Sequence, residues 1–129
     1  MIRHLDLNTV WDFTRVKSYG DDAISSGQIS ILKDIETNIK GKHVLLVEDI
    51  IDTGITLNQL VKVLYSREPL SIRTCAFLDK VDRRITNLEV DFKGYEIPDE
   101  FVVGYGLDYA GKFRQFPFVA ILDRRVYEK

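Results

Sequence analysis

The sequence predicts an α/β domain with a mostly parallel central sheet flanked by helices. Three observations carry that expectation. First, His43-Val44-Leu45-Leu46-Val47 is a short continuous apolar run between a Gly41-Lys42 turn and the acids Glu48 and Asp49. Such a run suits a strand buried on both faces of a parallel sheet. Second, Leu57, Leu60, Val61 and Leu64 recur at helical spacing after Asp52-Thr53-Gly54, until Arg67-Glu68-Pro69 stops the helix. Third, Ser71 to Leu78 is another apolar run with β-branched residues. Strand, loop, helix, strand is a βαβ unit.

The remaining elements are read in chain order. Val10 to Lys17 is rich in β-branched and aromatic residues and predicts a strand. Ser18 to Gln28 is small, polar and holds two glycines, which predicts a long mobile loop before a strand at Ile29 to Leu32. Val90 to Tyr95 alternates and predicts an edge strand, broken by Pro98-Asp99. Phe101-Val102-Val103 leads into a Gly104-Tyr105-Gly106 turn, and Phe118 to Leu122 predicts the last strand. No internal repeat or linker divides the chain, so residues 1–129 are expected to form a single domain.

Composition narrows the function classes. A net charge of −2 gives no strong field toward nucleic acid or an anionic membrane. Arg124, Arg125 and Lys129 read as a solvated tail. The single cysteine, Cys75, sits in the Ser71 to Leu78 run and reads as a small core hydrophobe. The first residues lack the apolar stretch of a signal peptide, and no run approaches the ~18 apolar residues of a membrane span. A cytoplasmic protein is expected.

Chemistry concentrates in residues 44–56, VLLVEDIIDTGIT. A buried strand is expected to deliver Glu48 and Asp49 at its carboxyl end, where open α/β sheets bind ligands. Asp52, Thr53, Gly54, Ile55 and Thr56 then turn into a helix, whose first backbone N–H groups attract a phosphate. Gly54 permits a positive φ or a close approach. Two adjacent carboxylates suit a pair of sugar hydroxyls or a hydrated Mg²⁺. A phosphorylated sugar satisfies both features. Neither the dinucleotide fingerprint nor a P-loop is present.

VLLVEDIIDTGIT resembles the phosphoribosyl-diphosphate signature of type I phosphoribosyltransferases. Ser18-Tyr19-Gly20 resembles the start of that family's active-site loop, and Leu78-Asp79-Lys80 its purine-reading segment. Ile97 to Arg114, IPDEFVVGYGLDYAGKFR, closely resembles the hypoxanthine-guanine members. The resemblance implies the type I phosphoribosyltransferase fold and transfer of 5-phosphoribosyl from phosphoribosyl diphosphate to hypoxanthine or guanine, in purine salvage. It implies that Glu48 and Asp49 hold the ribose hydroxyls and a Mg²⁺, and that residues Asp52 to Thr56 cradle the 5′-phosphate. Asp52 would be the general base near purine N7 and Lys80 the donor to the 6-oxo group. Phe101 would stack on the purine, and the Val102 backbone would meet its edge. Asp108, beside the purine, would hold a second Mg²⁺. Arg114 would contact diphosphate, and Ser18 and Tyr19 would close over the reacting centre. A homo-oligomer, dimer or tetramer, is also implied. Taken singly, Lys80 reads as a surface lysine, Phe101 as core and Asp108 as a turn residue.

Against the family pattern the chain is expected to be N-terminally incomplete, beginning mid-fold at Met1 to Leu7. An apolar flank along His43 to Val47 or Ser71 to Leu78 would then face water, and the chain alone would be marginally stable and a poor catalyst. The alternative function is a catalytically impaired fragment, or a regulatory module of the same fold that binds the nucleotide or phosphoribosyl diphosphate.

Overall fold

A computed structural model of the chain describes residues 2–18 and 29–128. Its contacts divide it into two units, Met1–Val44 with Ile55–Ser71, and Leu45–Gly54 with Ile72–Lys129.

In the first unit, β1 (Arg15–Ser18) and β2 (Ile29–Lys33) form an antiparallel pair with Ser18 opposite Ile29. Helix α1 (Ile55–Tyr65) lies against this pair. Leu57, Leu60 and Leu64 are its buried stripe, spaced as the sequence predicts. The helix stops where Pro69 requires. Glu68 takes a left-handed φ of 56°, the geometry usual for a helix end, and its N–H donates to the Tyr65 carbonyl at 3.0 Å. The expected strand from Val10 is shorter than its composition suggests. Asp12 accepts hydrogen bonds from the N–H groups of Glu36 at 2.8 Å and Thr37 at 2.7 Å, and from Phe13 at 2.7 Å. These bonds, that of Thr37 foremost, hold its carboxyl down at about 2. The chain is held there to residues 36 and 37 without strand pairing, which begins only at Arg15. Residues 19–28, most of the expected loop, lie outside the described residues.

The second unit is built on a three-stranded sheet of order β3-β4-β5, formed by β3 (His43–Ile51), β4 (Ser71–Asp79) and β5 (Phe92–Glu96). Strands β4 and β5 are parallel, with Cys75 opposite Phe92 and Asp79 opposite Glu96. Central β4 buries Ile72, Thr74, Ala76 and Leu78. Thr74 and Asp91 bond reciprocally, backbone N–H to side-chain oxygen at 2.8 and 3.2 Å, which fixes where β5 starts.

Strand β3 corrects two expectations. It runs four residues past Val47, so Glu48 and Asp49 lie inside the strand rather than beyond its end. It is also not buried on both faces: Leu45 and Val47 are each 44% exposed. Leu45 and Val47 alternate onto the same face of the strand, so it is that face that is left part-exposed.

Two shorter strands, β6 (Val102–Val103) and β7 (Ala120–Ile121), pair antiparallel. Leu78, Val102 and Leu107 form a buried cluster, packed by Ile50, Phe77, Ile97 and Val119. Arg124 and Arg125 are solvated, their side chains 62% and 90% exposed. They begin helix α2 (Arg124–Tyr127), capped by Asp123, whose carboxylate accepts the Arg125 N–H at 2.9 Å. No helix among the described residues is long and apolar enough to cross a membrane.

Candidate active site

The end of β3 turns at Asp52-Thr53-Gly54 and enters α1 at Ile55 and Thr56. Two backbone hydrogen bonds hold this turn to the segment after β4: Lys80 N–H to the Ile51 carbonyl at 2.9 Å, and Ile85 N–H to the Thr53 carbonyl at 3.1 Å. Gly54 has φ +81°, and a Cβ there would lie 2.5 Å from Thr86 Oγ1 and 2.8 Å from Arg84 Cδ. Glycine is therefore required on both counts.

Three buried side-chain atoms around this turn accept or donate no hydrogen bond: Asp52 Oδ1, Arg84 Nε and Thr86 Oγ1. Asp52 Oδ1 does face Arg83 Nε at 2.9 Å, as an ion pair without hydrogen-bond alignment. Buried polar atoms left without partners call for an explanation, and a polar ligand supplies one. Arg84 is itself fixed, by an ion pair with Asp79, which is only 2% exposed, and by a bond to the Leu88 carbonyl at 3.0 Å.

Lys80 is 7% exposed, which reverses its reading as a surface lysine. Its ammonium lies 3.5 Å from Asp99 and 4.0 Å from Asp52. Arg83 reaches the same two carboxylates, with Asp99 at 3.4 Å. Asp52, Lys80, Arg83 and Asp99 thus form a charge-balanced quartet, of which the sequence reading named Asp52 and Lys80. It missed Arg83, Arg84, Thr86 and Asp99. The dense charge of Asp79-Lys80-Val81-Asp82-Arg83-Arg84 was the available signal.

Glu48 is half-buried and Asp49 exposed. Burial pushes the Glu48 carboxyl up to about 7, and the Asp49 charge adds to the rise. Asp49 accepts the N–H of Ile50 at 2.7 Å. Successive strand residues point to opposite faces, so the two acids are not a simple two-armed clamp. No group of three metal-ligating side chains gathers among the described residues.

Asp108 is committed elsewhere. Its carboxylate accepts the Gly111 N–H at 2.7 Å and pairs with Arg114 at 2.8 Å, while Arg114 also donates to the Gly106 carbonyl. Phe101 meets Tyr109 edge-on at 5.7 Å and Tyr127 at 5.2 Å. Val102 is buried in β6, opposite Ile121. Ser18 ends β1 in the first unit, and Tyr19 lies outside the described residues.

Known proteins resemble the chain over most of its length. The model of the phosphoribosyl transferase domain matches residues 1–110. The hypoxanthine-guanine phosphoribosyltransferase of Bacillus subtilis is 44% identical over 128 residues, 99% of this chain and 71% of that protein. A hypoxanthine phosphoribosyltransferase from Staphylococcus aureus superposes with a TM-score of 0.94 at 41% identity, covering 99% of this chain and 70% of that one. A hypoxanthine-guanine phosphoribosyltransferase from Bacillus anthracis, with a HEPES molecule in its active site, gives 0.90 at 43%, covering 95% and 72%. The chain belongs to the hypoxanthine-guanine phosphoribosyltransferase family.

Proposed function

We propose that this protein transfers the 5-phosphoribosyl group of phosphoribosyl diphosphate to hypoxanthine or guanine, giving IMP or GMP and diphosphate. The observation that carries the reading is the set of buried atoms at Asp52, Arg84 and Thr86 that make no hydrogen bond, beside a buried lysine, in the strand–turn–helix of this family.

The residues divide the work as follows. Backbone N–H groups of Asp52, Thr53, Gly54, Ile55 and Thr56, with the Thr hydroxyls, hold the 5′-phosphate at the start of α1. Glu48 and Asp49 take the ribose hydroxyls. Asp52 Oδ1, buried and accepting no hydrogen bond, receives the purine proton near N7. Lys80 donates to the 6-oxo group. An ammonium cannot accept, so it disfavours adenine, whose 6-amino group is itself a donor. Phe101 and the Val102 backbone bound the purine plane and edge. Ser18 and Tyr19 exclude water from an oxocarbenium-like state.

Mg²⁺ offsets charge on the departing diphosphate when bound. Either Glu48 or Asp49 would supply a carboxylate to a hydrated Mg²⁺, which commonly uses one or two carboxylates plus phosphates and waters. Asp108 would hold a second Mg²⁺ only with its pair to Arg114 opened. The protein is read as a cytoplasmic homo-oligomer that needs neither nucleic acid nor membrane.

The test is to incubate the chain with phosphoribosyl diphosphate, Mg²⁺ and one purine, and to measure nucleotide and diphosphate. IMP and GMP should form and AMP should not. Binding of phosphoribosyl diphosphate without any product would favour the regulatory module instead. AMP as the main product would overturn the assignment.

A further inference from the structure

We propose that Asp99 is the positioning residue that holds Lys80 where it selects a 6-oxo over a 6-amino purine; this rests on the reading of Lys80 as the contact to purine position 6.

Lys80 brings a full charge into a site where its side chain is only 9% exposed. A buried ammonium must be balanced by nearby carboxylates. Two are present, and they are not equivalent. Asp52 already carries Arg83 Nε at 2.9 Å, and Lys80 stands 4.0 Å from its other oxygen. Asp99 is the nearer carboxylate to Lys80, at 3.5 Å, and its contact to Arg83 is looser, at 3.4 Å. Asp99 is therefore the counter-charge that decides where the Lys80 ammonium rests.

The backbone supports that role. Asp99 follows Pro98 in the turn after β5, and the Ile97 N–H donates to the Asp79 carbonyl at 2.9 Å. That bond ties the start of the turn carrying Asp99 to the residue just before Lys80. Both Lys80 distances exceed the ~2.7–2.9 Å of a charge-assisted hydrogen bond. The ammonium is steered by its counter-ions while its donors remain available to a purine oxygen.

Without Asp99, Asp52 would balance both cations. Lys80 would move toward Asp52, away from the position 6 contact and onto the carboxylate assigned to receive the proton. Asp99 is 52% exposed at its side chain, and an exposed pair alone would be worth little. Its effect comes from the buried cation it serves.

The experiment is calorimetric titration of the whole chain with IMP, AMP and ribose 5-phosphate, for the unsubstituted protein, Asp99→Asn, Asp99→Glu and Lys80→Gln. Lys80→Gln should collapse the IMP-over-AMP affinity ratio. Asp99→Asn should lower that ratio roughly fivefold or more, as expected for removing one counter-ion of a buried cation. Ribose 5-phosphate binding should stay within about twofold, and Asp99→Glu should restore most of the ratio. If Lys80→Gln collapses the ratio and Asp99→Asn leaves it unchanged, the role of Asp99 is overturned while that of Lys80 stands. Equal weakening of ribose 5-phosphate and IMP by Asp99→Asn would also overturn it, since a general structural defect does that. If Lys80→Gln leaves the ratio unchanged, the reading of Lys80 fails and takes this inference with it.

Discussion

Two ionic groups in the same unit are built in opposite ways. Around Lys80, two cations and two carboxylates share one another at 2.9 to 4.0 Å, and Asp52 keeps a buried oxygen that accepts no hydrogen bond. At Asp108, one carboxylate and one guanidinium close on each other at 2.8 Å, with Gly111 N–H and the Gly106 carbonyl completing both partners. The first group is ready to receive a polar ligand. The second must open before either member can serve a metal or an anion. On the proposed function, binding of the purine and phosphate would be preorganised, whereas the diphosphate end would carry a conformational cost.

The comparison breaks most visibly at Asp52. Asp52→Asn should lower the rate of nucleotide formation by about 10²–10⁴, the usual cost of losing a general base, with little change in phosphoribosyl diphosphate affinity. Steady-state kinetics beside calorimetry check this. A rate within about threefold of the unsubstituted chain would remove Asp52 from the chemistry.

Gly54→Ala tests whether the preorganised side depends on its turn. The left-handed φ and the contacts to Thr86 and Arg84 should make it cost about 1–3 kcal/mol, read by denaturant unfolding, and weaken ribose 5-phosphate. An unchanged midpoint and unchanged binding would show that the turn adapts freely.

Glu48 sharpens the comparison through pH. Its folded carboxyl is raised from 4.5 to about 7, so the folded state binds the extra proton. Its contribution to stability is present below about pH 4.5 and is lost as pH rises toward about 7. Glu48→Gln should flatten the thermal midpoint across that window. A slope that survives the substitution belongs to another group. Asp12, held at about 2, has the opposite sign and acts only at lower pH.

The smallest effect belongs to the self-closed pair. Asp108→Asn should cost no more than about 1 kcal/mol of stability, because the pair is partly solvated. By freeing Arg114 it should leave diphosphate binding measured without Mg²⁺ intact or improve it, read by calorimetry. A large loss of stability would mean the pair is structural.

Much of this was legible from local pattern. The strand–turn–helix, the Pro69 stop and the chemistry of Asp52 to Thr56 depend on neighbours in sequence. Asp99, Thr86 and Arg84 were not legible, because their partners are brought together by the β3–β4 and β4–β5 pairings and by the bond from Ile97 to Asp79. Composition alone also misjudged β1. Val10 and Phe13 favour a strand, but the Asp12 carboxylate captures the backbone of Glu36 and Thr37, and the segment stays irregular. For β3, an apolar run signals a strand but not whether both of its faces are covered, and Leu45 and Val47 mark the face that is not.

The most direct measurement is a crystal structure of the chain with GMP. The account predicts the 6-oxo group within ~2.7–3.2 Å of Lys80 Nζ, N7 facing Asp52, and the phosphate at the start of α1. A purine lying away from Lys80 and Asp52, with the quartet unchanged, would contradict it.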